Sequence, residues 1–527
     1  VRLKIDNVGS LGLVTDLDRP EVTHAAWNTA HNVRFRRNFA EPVGGYESFF
    51  TPSGEAHYLL GMAIGTTWWM VYPADTDDDG EAEAIFAYDG TTETEITWAS
   101  GDYDASYKWN GCVFNGVFIL NNYDECPQYW GGNVASDCAG LTYKSTQTWD
   151  NYDGSSHAYR AKVIRAYRNF LIALGIKENA TEYPYLVHWS DPADPGTIPP
   201  SWDYSDPTTL SGRVDIADTR GYVVDGLSLR DVFVVYKQDS IWIMSYTGGQ
   251  FQFRVDKFSH THGILAQDCV VDIGGAHVVL GDGVVYMHDG QQVTNILDGK
   301  EADAFFRGIE QTMLSSCFLV HSREFEEVWI CYVPVNGTQV TKAHVYNYKT
   351  GAWSTRDIPA CRFMSLQIYA ERQELDSWPA SGSSYSWDAD KSLSWDFQSY
   401  DPNADTPVAV GVDFYAMDEG TSADGTAFTS TLTRTGLRVA DGGGQSLVRE
   451  MYPRLGGQGS VSVTVGSESP LMDIVDWGSP QTFTIGANIK LDLTISGELF
   501  AVSFTSAGSE RWRLSAYELD LVPIGMY

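Results

Sequence analysis

Apolar and polar residues alternate with the two-residue period of a strand through most of this chain. The pattern runs through GCVFNGVFILNN, DVFVVYKQDSIWIMSY, HVVLGDGVVYMHDG, EVWICYVPV, SVSVTVG and KLDLTISG. Helical periodicity is scarce. Only Thr23 to Asn32, behind a Thr23 cap, and Glu301 to Gln311 read as short helices. A second, looser pattern is laid over the strands: pairs of them end in a large side chain followed by a polar or glycine turn. It occurs in IFAYDG at Tyr88, PQYWGG at Trp130, LVHWSD at Trp189, IMSYTGG at Tyr246, VVYMHDG at Met287 and VYNYKTG at Tyr348. The spacing is about 40 to 60 residues, the period of propeller blades, each a four-stranded sheet that buries its faces only against its neighbours. The fold class expected is therefore all-β: a six-bladed β-propeller over residues 59–360, with a string of unrelated hairpins as the competing arrangement.

The flanks read differently. Residues 1–58 form an N-terminal segment and residues 361–406 a Ser/Asp/Trp-rich connector with Trp378, Trp387 and Trp395. Strands with glycine-rich turns return over 407–527 as a C-terminal β-sandwich-like domain.

Charge limits the partners. Sixty-nine Asp and Glu against 35 Lys and Arg give a formal net charge of -34, which opposes general phosphate binding because nucleic-acid affinity comes from basic groups that release counterions. The excess is uneven: residues 1–50 hold six bases and six acids, whereas Asp75 to Asp104 hold eleven acids and no Lys or Arg. Seven cysteines with no CxxC spacing suggest reduced, buried thiols rather than zinc or a disulfide framework. No apolar run approaches a membrane span, so neither an anchor nor a targeting segment is expected.

Catalytic signatures are thin. There is no GxSxG, HExxH or GxxxxGK[ST], and 69 acids make paired carboxylates uninformative. No catalytic residue and no enzyme activity is expected. His260 and His262 share a strand face and could hold a metal with Asp268, although a surface pair explains them more simply. The stretch DTDDDGEAE is sharper, with Asp75, Asp77, Asp79 and Glu83 at positions one, three, five and nine and Gly80 allowing a tight turn. It resembles DxDxDG calcium loops, while a solvated hairpin tip is the plainer alternative. Calcium is the only cofactor considered, and none is required. In NVRFRR, alternation sends Val33 and Phe35 inward and Arg34 and Arg36 outward, where they suit carboxylates of a neighbouring subunit as well as phosphate.

The same region carries a resemblance. Gly12, Leu13 and Asp16, then Trp27, Asn32, Val33, Arg34, Phe35 and Arg36, then Val43, Gly44, Gly45 and Tyr46 fit the order G-[LI]-x-x-D, W-x-x-x-x-N-V-R-F-R and V-G-G-[YW]. That order is similar to the opening of tail nozzle proteins of short-tailed bacteriophages, also called tail tubular protein B or packaged-DNA stabilisation proteins. The Trp-Asp repeat around Trp378, Trp387 and Trp395, and a closing strand near Pro523 and Gly525, are similar too, while Glu498 stands where a basic residue is expected. The resemblance implies a structural virion protein of the tail, assembled in the host cytoplasm. It implies a homohexamer below a head-tail adaptor ring that closes the exit channel and then passes double-stranded DNA without binding it specifically, with tail fibres and the host surface as further contacts. Trp27, Asn32, Arg34, Phe35, Arg36 and Arg37 are then candidates for adaptor or subunit contact, and Asp89, Glu93, Glu95, Asp102 and Asp104 for an acidic channel wall. The alternative class is a calcium-stabilised propeller that binds glycans through Trp378, Trp387 and Trp395, or, further off, a propeller glycosidase or lyase.

Overall fold

The computed structural model describes residues 2–65, 67–98, 103, 106–249, 252–368, 405–439, 444–469, 472–508 and 511–526. Among these, seven antiparallel units built on four strands each stand in a ring, the first also carrying the short strand Glu55–Ala56. Their innermost strands are Leu60–Ile64, Asn110–Phe114, Tyr159–Tyr167, Val223–Leu229, Val270–Asp272, Phe318–Ser322 and Phe363–Gln367. Each packs on the next, and the last returns to the first, so the ring is closed. The propeller expected from the spacing is present with seven blades rather than six.

The reason for the miscount is topological. The first six blades occupy 60–95, 110–140, 159–215, 223–259, 270–295 and 318–361, and in each the repeated large side chain marks the end of the third strand or the residue beside it. The seventh is assembled from Phe363–Gln367, Thr406–Val410 and Phe414–Met417, with Tyr46–Phe50 added as its outer strand in the register Tyr46↔Met417. The ring thus extends past residue 360 and is closed by a strand from the first fifty residues. Phe50 fixes that closure, stacking on Tyr88 of the first blade at 4.0 Å and meeting Phe414 edge-on at 5.3 Å.

The N-terminal segment is not a separate module. Arg2–Asp6, Val33–Arg36 and Phe39–Pro42 join Gly444–Gly457, Leu491–Gly497 and Trp512–Met526 in one sheet. Thr29–His31 pairs with Thr429–Arg438 in the facing sheet, beside Leu499–Ala507, Ser460–Ser469, Met472–Trp477 and Gln481–Thr484. Together they form the C-terminal β-sandwich. Thr29–His31 also pairs in parallel with Ala352–Cys361, His31 opposite Thr355, so one sandwich sheet continues into the sixth blade. Trp27 fills the space between the sheets, 1 % exposed, its ring 6.2 Å from both Phe504 and Tyr517 and its indole N–H donating to the Val8 carbonyl at 2.7 Å.

The helix expected over Thr23 to Asn32 is absent: a 3-10 turn at Arg19–Glu21 precedes the strand Thr29–His31, because pairing on both edges of that strand outweighs weak helical periodicity. The second expected helix forms as Ala302–Gly308. All seven cysteines are free thiols, six of them buried.

Candidate functional site

Arg34 sits in a hairpin whose turn, Arg37 and Asn38, adopts positive φ at both positions (46° and 69°), the geometry of a two-residue hairpin turn. Val33 and Phe35 face the sandwich core as alternation requires, but Arg34 does not face solvent. Its side of the strand lies on blades six and seven. There its Nε donates to Glu327 Oε1 at 2.8 Å, and its Nη2 donates to Glu327 Oε2 at 3.1 Å and to Asp418 Oδ2 at 2.9 Å. The guanidinium lies 3.3 Å from the Phe325 ring centre, and Arg356, over the Trp329 ring, reaches Asp418 from the other side at 3.2 Å. Two cations and two anions balance at a site where no side chain is more than 6 % exposed, and that balance is what lets four charges be buried together. Burial alone would raise the Asp418 carboxyl, but Arg34 and Arg356 more than offset it and hold that group below the ordinary carboxylate range.

The other motif residues serve the same junction. The Asn32 side chain accepts from Asp357 N (2.8 Å) and donates to the Thr429 carbonyl (3.0 Å), joining blade six to the sandwich. Asp16 Oδ2 accepts from Ala302 N at 2.7 Å, at the start of the helix. Gly12 and Gly45 are needed for close approach: a Cβ would stand 2.5 Å from Trp353 N and 2.1 Å from the Ser422 carbonyl oxygen. Trp27, Asn32, Arg34 and Phe35, expected at an adaptor or subunit interface, are instead buried within their own chain. Of that group only Arg36, half-buried, and Arg37, exposed, remain at the surface.

The acidic loop joins the second and third strands of blade one. Asp75, 2 % exposed, accepts from the amides of Asp78 and Gly80 at 2.7 Å each, and Glu83 accepts from Thr76 N at 2.6 Å. Ligand oxygens of Asp75, Asp77, Asp79 and Glu83 lie within 4.8 Å of one another, so the sequence spacing does converge. Asp79 raises the Asp77 carboxyl, the mark of like charges held close. Four carboxylate ligands suit a hard cation that takes six to eight oxygens, with backbone carbonyls or water completing the set.

The channel-wall candidates are dispersed in role. Asp89 caps its own turn through Thr91 N and Thr92 N (2.8 and 2.7 Å), and Glu93 binds Ser53 N at 3.0 Å and the Tyr72 hydroxyl. Glu95 is exposed on the outer strand Glu93–Glu95 of blade one. Asp102, Asp104, Trp378, Trp387 and Trp395 lie outside the described residues. His262 bonds to the Ser259 and Thr261 hydroxyls, while Asp268 is taken up elsewhere, so these residues do not assemble as a metal set.

Asp268 belongs to a cluster that the sequence did not announce. Arg165, from the inner strand of blade three, makes a two-pronged pair with Asp225 of blade four (2.9 Å at both contacts). It also donates to Asp268 Oδ1 at 2.7 Å, before blade five, and to the Gly111 carbonyl of blade two at 3.1 Å. Lys108 adds a second cation 3.3 Å from Asp268. Side chains from successive blades therefore meet across the middle of the ring. A cavity of about 630 Å³ lies on one side of this cluster, lined by Lys108, Lys162, Tyr123, Tyr222 and Gln238, and one of about 390 Å³ on the other, lined by Arg165, Asp225 and His321. The only local signal was a lone arginine inside the apolar run VIRAY.

No protein-family model and no curated protein matches the sequence. Among solved structures, the chain is similar to the AfRom2 CNH domain (8% identity, 62% of this chain and 91% of that chain, TM-score 0.33). It is similar also to KlHsv2 with loop 6CD replaced by a Gly-Ser linker (11%, 56% and 83%, 0.31) and to a Bacteroides fragilis protein assigned as a 6-phosphogluconolactonase (10%, 59% and 90%, 0.35). The seven-bladed assignment rests on the strand pairing described above.

Proposed function

We propose that this chain is a structural subunit of the tail nozzle of a short-tailed bacteriophage, without catalytic activity. The observation that carries the reading is the three-part N-terminal resemblance, whose matched residues gather at one junction: Gly12 on Trp353, Asp16 on the helix, Asn32 and Arg34 on blades six and seven, Gly45 on Ser422. A motif read from sequence spacing thus corresponds to one physical device, which fixes sandwich and propeller in a single orientation. A subunit of a tube that withstands DNA pressure needs such rigidity.

In this reading the propeller's own centre is not the DNA path. The cross-blade cluster at Arg165 occupies it, so the duplex passes through a tube formed between copies of the chain. An acidic wall repels DNA only at close range, since screening acts over roughly 8 Å at physiological salt. Asp89 and Glu95 remain candidates for that wall, and the loop at Asp75 to Glu83 is read as a calcium staple. The test is imaging of the purified chain with the cognate portal and adaptor rings. A six-fold ring of this chain below the adaptor is the expected result, and a monodisperse monomer that ignores the adaptor would refute the assignment.

A further inference from the structure

We infer that the 630 Å³ cavity at the mouth of the propeller is a binding site for a sugar bearing a single carboxylate, such as a uronic or sialic acid. This goes beyond the nozzle reading and does not involve Trp378, Trp387 or Trp395. The size falls within the range of small-ligand sites, roughly 300 to 1,000 Å³. Lys108, held 3.3 Å from Asp268, lines the cavity where it borders the Arg165 cluster.

Its electrostatics are specific. Three cations line it, and two are already neutralised: Lys108 by Asp268 at 3.3 Å, and Arg362 by a two-pronged pair with Glu55 at 2.9 and 2.7 Å. The fourth basic side chain of the lining, His57, also has Glu55 beside it, its Nε2 standing 3.9 Å from that carboxylate. Lys162 is the remaining cation, and among the described residues it has no carboxylate partner. Its ammonium stands 5.5 Å from the Tyr123 ring centre and 6.0 Å from that of Tyr222. Lys177 approaches the same Tyr123 ring at 5.5 Å, and Glu182, opposite Lys177 in the strand pair, acts on Tyr123 as well, so one acid offsets one of these two lysines. One uncompensated positive charge matches a monoanionic carboxylate and leaves a phosphate dianion half unpaired.

The site is also built rather than incidental. The strand register shifts between Leu174 and Ile176, and Gly175, at φ +63°, lies under the Lys162 stem, where a Cβ would come within 3.2 Å of Lys162 Cδ. A side chain at position 175 would crowd the Lys162 stem, so the glycine leaves that stem its place beside the cavity. Tyr107 and Tyr222, 49 % and 47 % exposed, line the cavity, with Tyr107 edge-on to Tyr123 at 5.1 Å. Sugar rings stack on tyrosine rings through their C–H bonds, while hydroxyls find partners in the amide and hydroxyl groups of the wall.

The experiment is calorimetric titration of the full chain with glucuronate, sialic acid, trisaccharides ending in either acid, neutral trisaccharides of matched length, and inorganic phosphate. The acidic sugars are expected to bind at least tenfold more tightly than the neutral ones. Lys162→Gln should erase that preference, and Tyr222→Ala should weaken acidic sugars tenfold with an unchanged melting temperature. Equal binding of monosaccharide and trisaccharide assigns the pocket to a free sugar acid, and tighter binding of the trisaccharide assigns it to glycan ends. Absence of binding by every acidic sugar, an acid preference that survives in Lys162→Gln, or phosphate binding as tightly as glucuronate would each overturn the inference. Because none of these outcomes depends on a hexamer, they stand or fall separately from the nozzle assignment.

Discussion

Replacing Arg34 with alanine removes three charge-assisted hydrogen bonds from a site where both arginine and acids are almost fully buried, the side chains of Arg34 and Glu327 being 3 % and 1 % exposed. Glu327 is left with the Trp329 indole N–H at 3.1 Å, and Asp418 with Arg356 and the amide of Gly44. Breaking a buried pair by deleting one partner costs about 3–5 kcal/mol, because the remaining charge stays desolvated. An unfolding entropy of about 2.1 cal/mol/K per residue over 527 residues gives about 1.1 kcal/mol/K, so the melting temperature should fall by about 3–5 °C. Arg34→Lys should lose an intermediate amount, since one ammonium cannot bridge both oxygens of Glu327 and reach Asp418. Arg37→Ala, at an exposed turn, should stay within about 0.5 kcal/mol of wild type. The assay is thermal and urea unfolding followed by tryptophan fluorescence, with Glu327→Gln completing a double-mutant cycle. Asp418 supplies a sign test: its carboxyl is depressed when folded, so its stabilisation is present above the unfolded value near 3.9 and is lost as pH falls below it. Arg34→Ala should show a shallower loss in that acid range. If Arg34→Ala melts with Arg37→Ala, or the cycle yields no coupling, the burial argument is wrong.

Three further outcomes follow from other parts of the molecule. Gly45→Ala would place a methyl group 2.1 Å from the Ser422 carbonyl oxygen, so the junction must shift, and protease cleavage there should accelerate severalfold. Millimolar calcium should raise the melting temperature of wild type but not of an Asp77→Asn, Asp79→Asn double variant, read by differential scanning fluorimetry; equal response of the two would exclude the loop as the binding site. His188, buried against Tyr159 and Trp202, is held down at about 3 chiefly by burial, so the unfolded chain binds an additional proton between about pH 6.5 and 3 and stability falls as pH drops through that range. His188→Gln should flatten this part of the urea midpoint profile, and an unchanged slope would assign the acid sensitivity to other groups.

Local patterns carried much of the architecture. The repeated large side chains lie at the ends of third strands, where the chain must turn, so six blades could be counted from Tyr88 to Tyr348. The seventh escaped because its outer strand, Tyr46–Phe50, lies more than 300 residues from its inner one, Phe363–Gln367, and no window of sequence contains both. The acidic loop was legible for the opposite reason: its contacts close within nine positions. Arg34 was misread because alternation separates two faces of a strand but cannot tell when both are covered. Nor does local reading pair Arg165 with Asp225, sixty positions away, since charge complementarity has no periodicity.

The late arrival of the seventh blade's partners sets a timetable for synthesis. Tyr46–Phe50 leaves the ribosome early, yet the strand it pairs with ends at Met417. At about 5–20 residues per second, that edge waits roughly 20 to 70 seconds with its hydrogen-bonding groups unmatched. Nascent chains translated together on one message would expose the same unpaired edge at the same time. Exchange of Tyr46–Phe50 between neighbouring copies, giving ring-swapped dimers, is therefore the misassembly to look for when expression is fast and translation crowded.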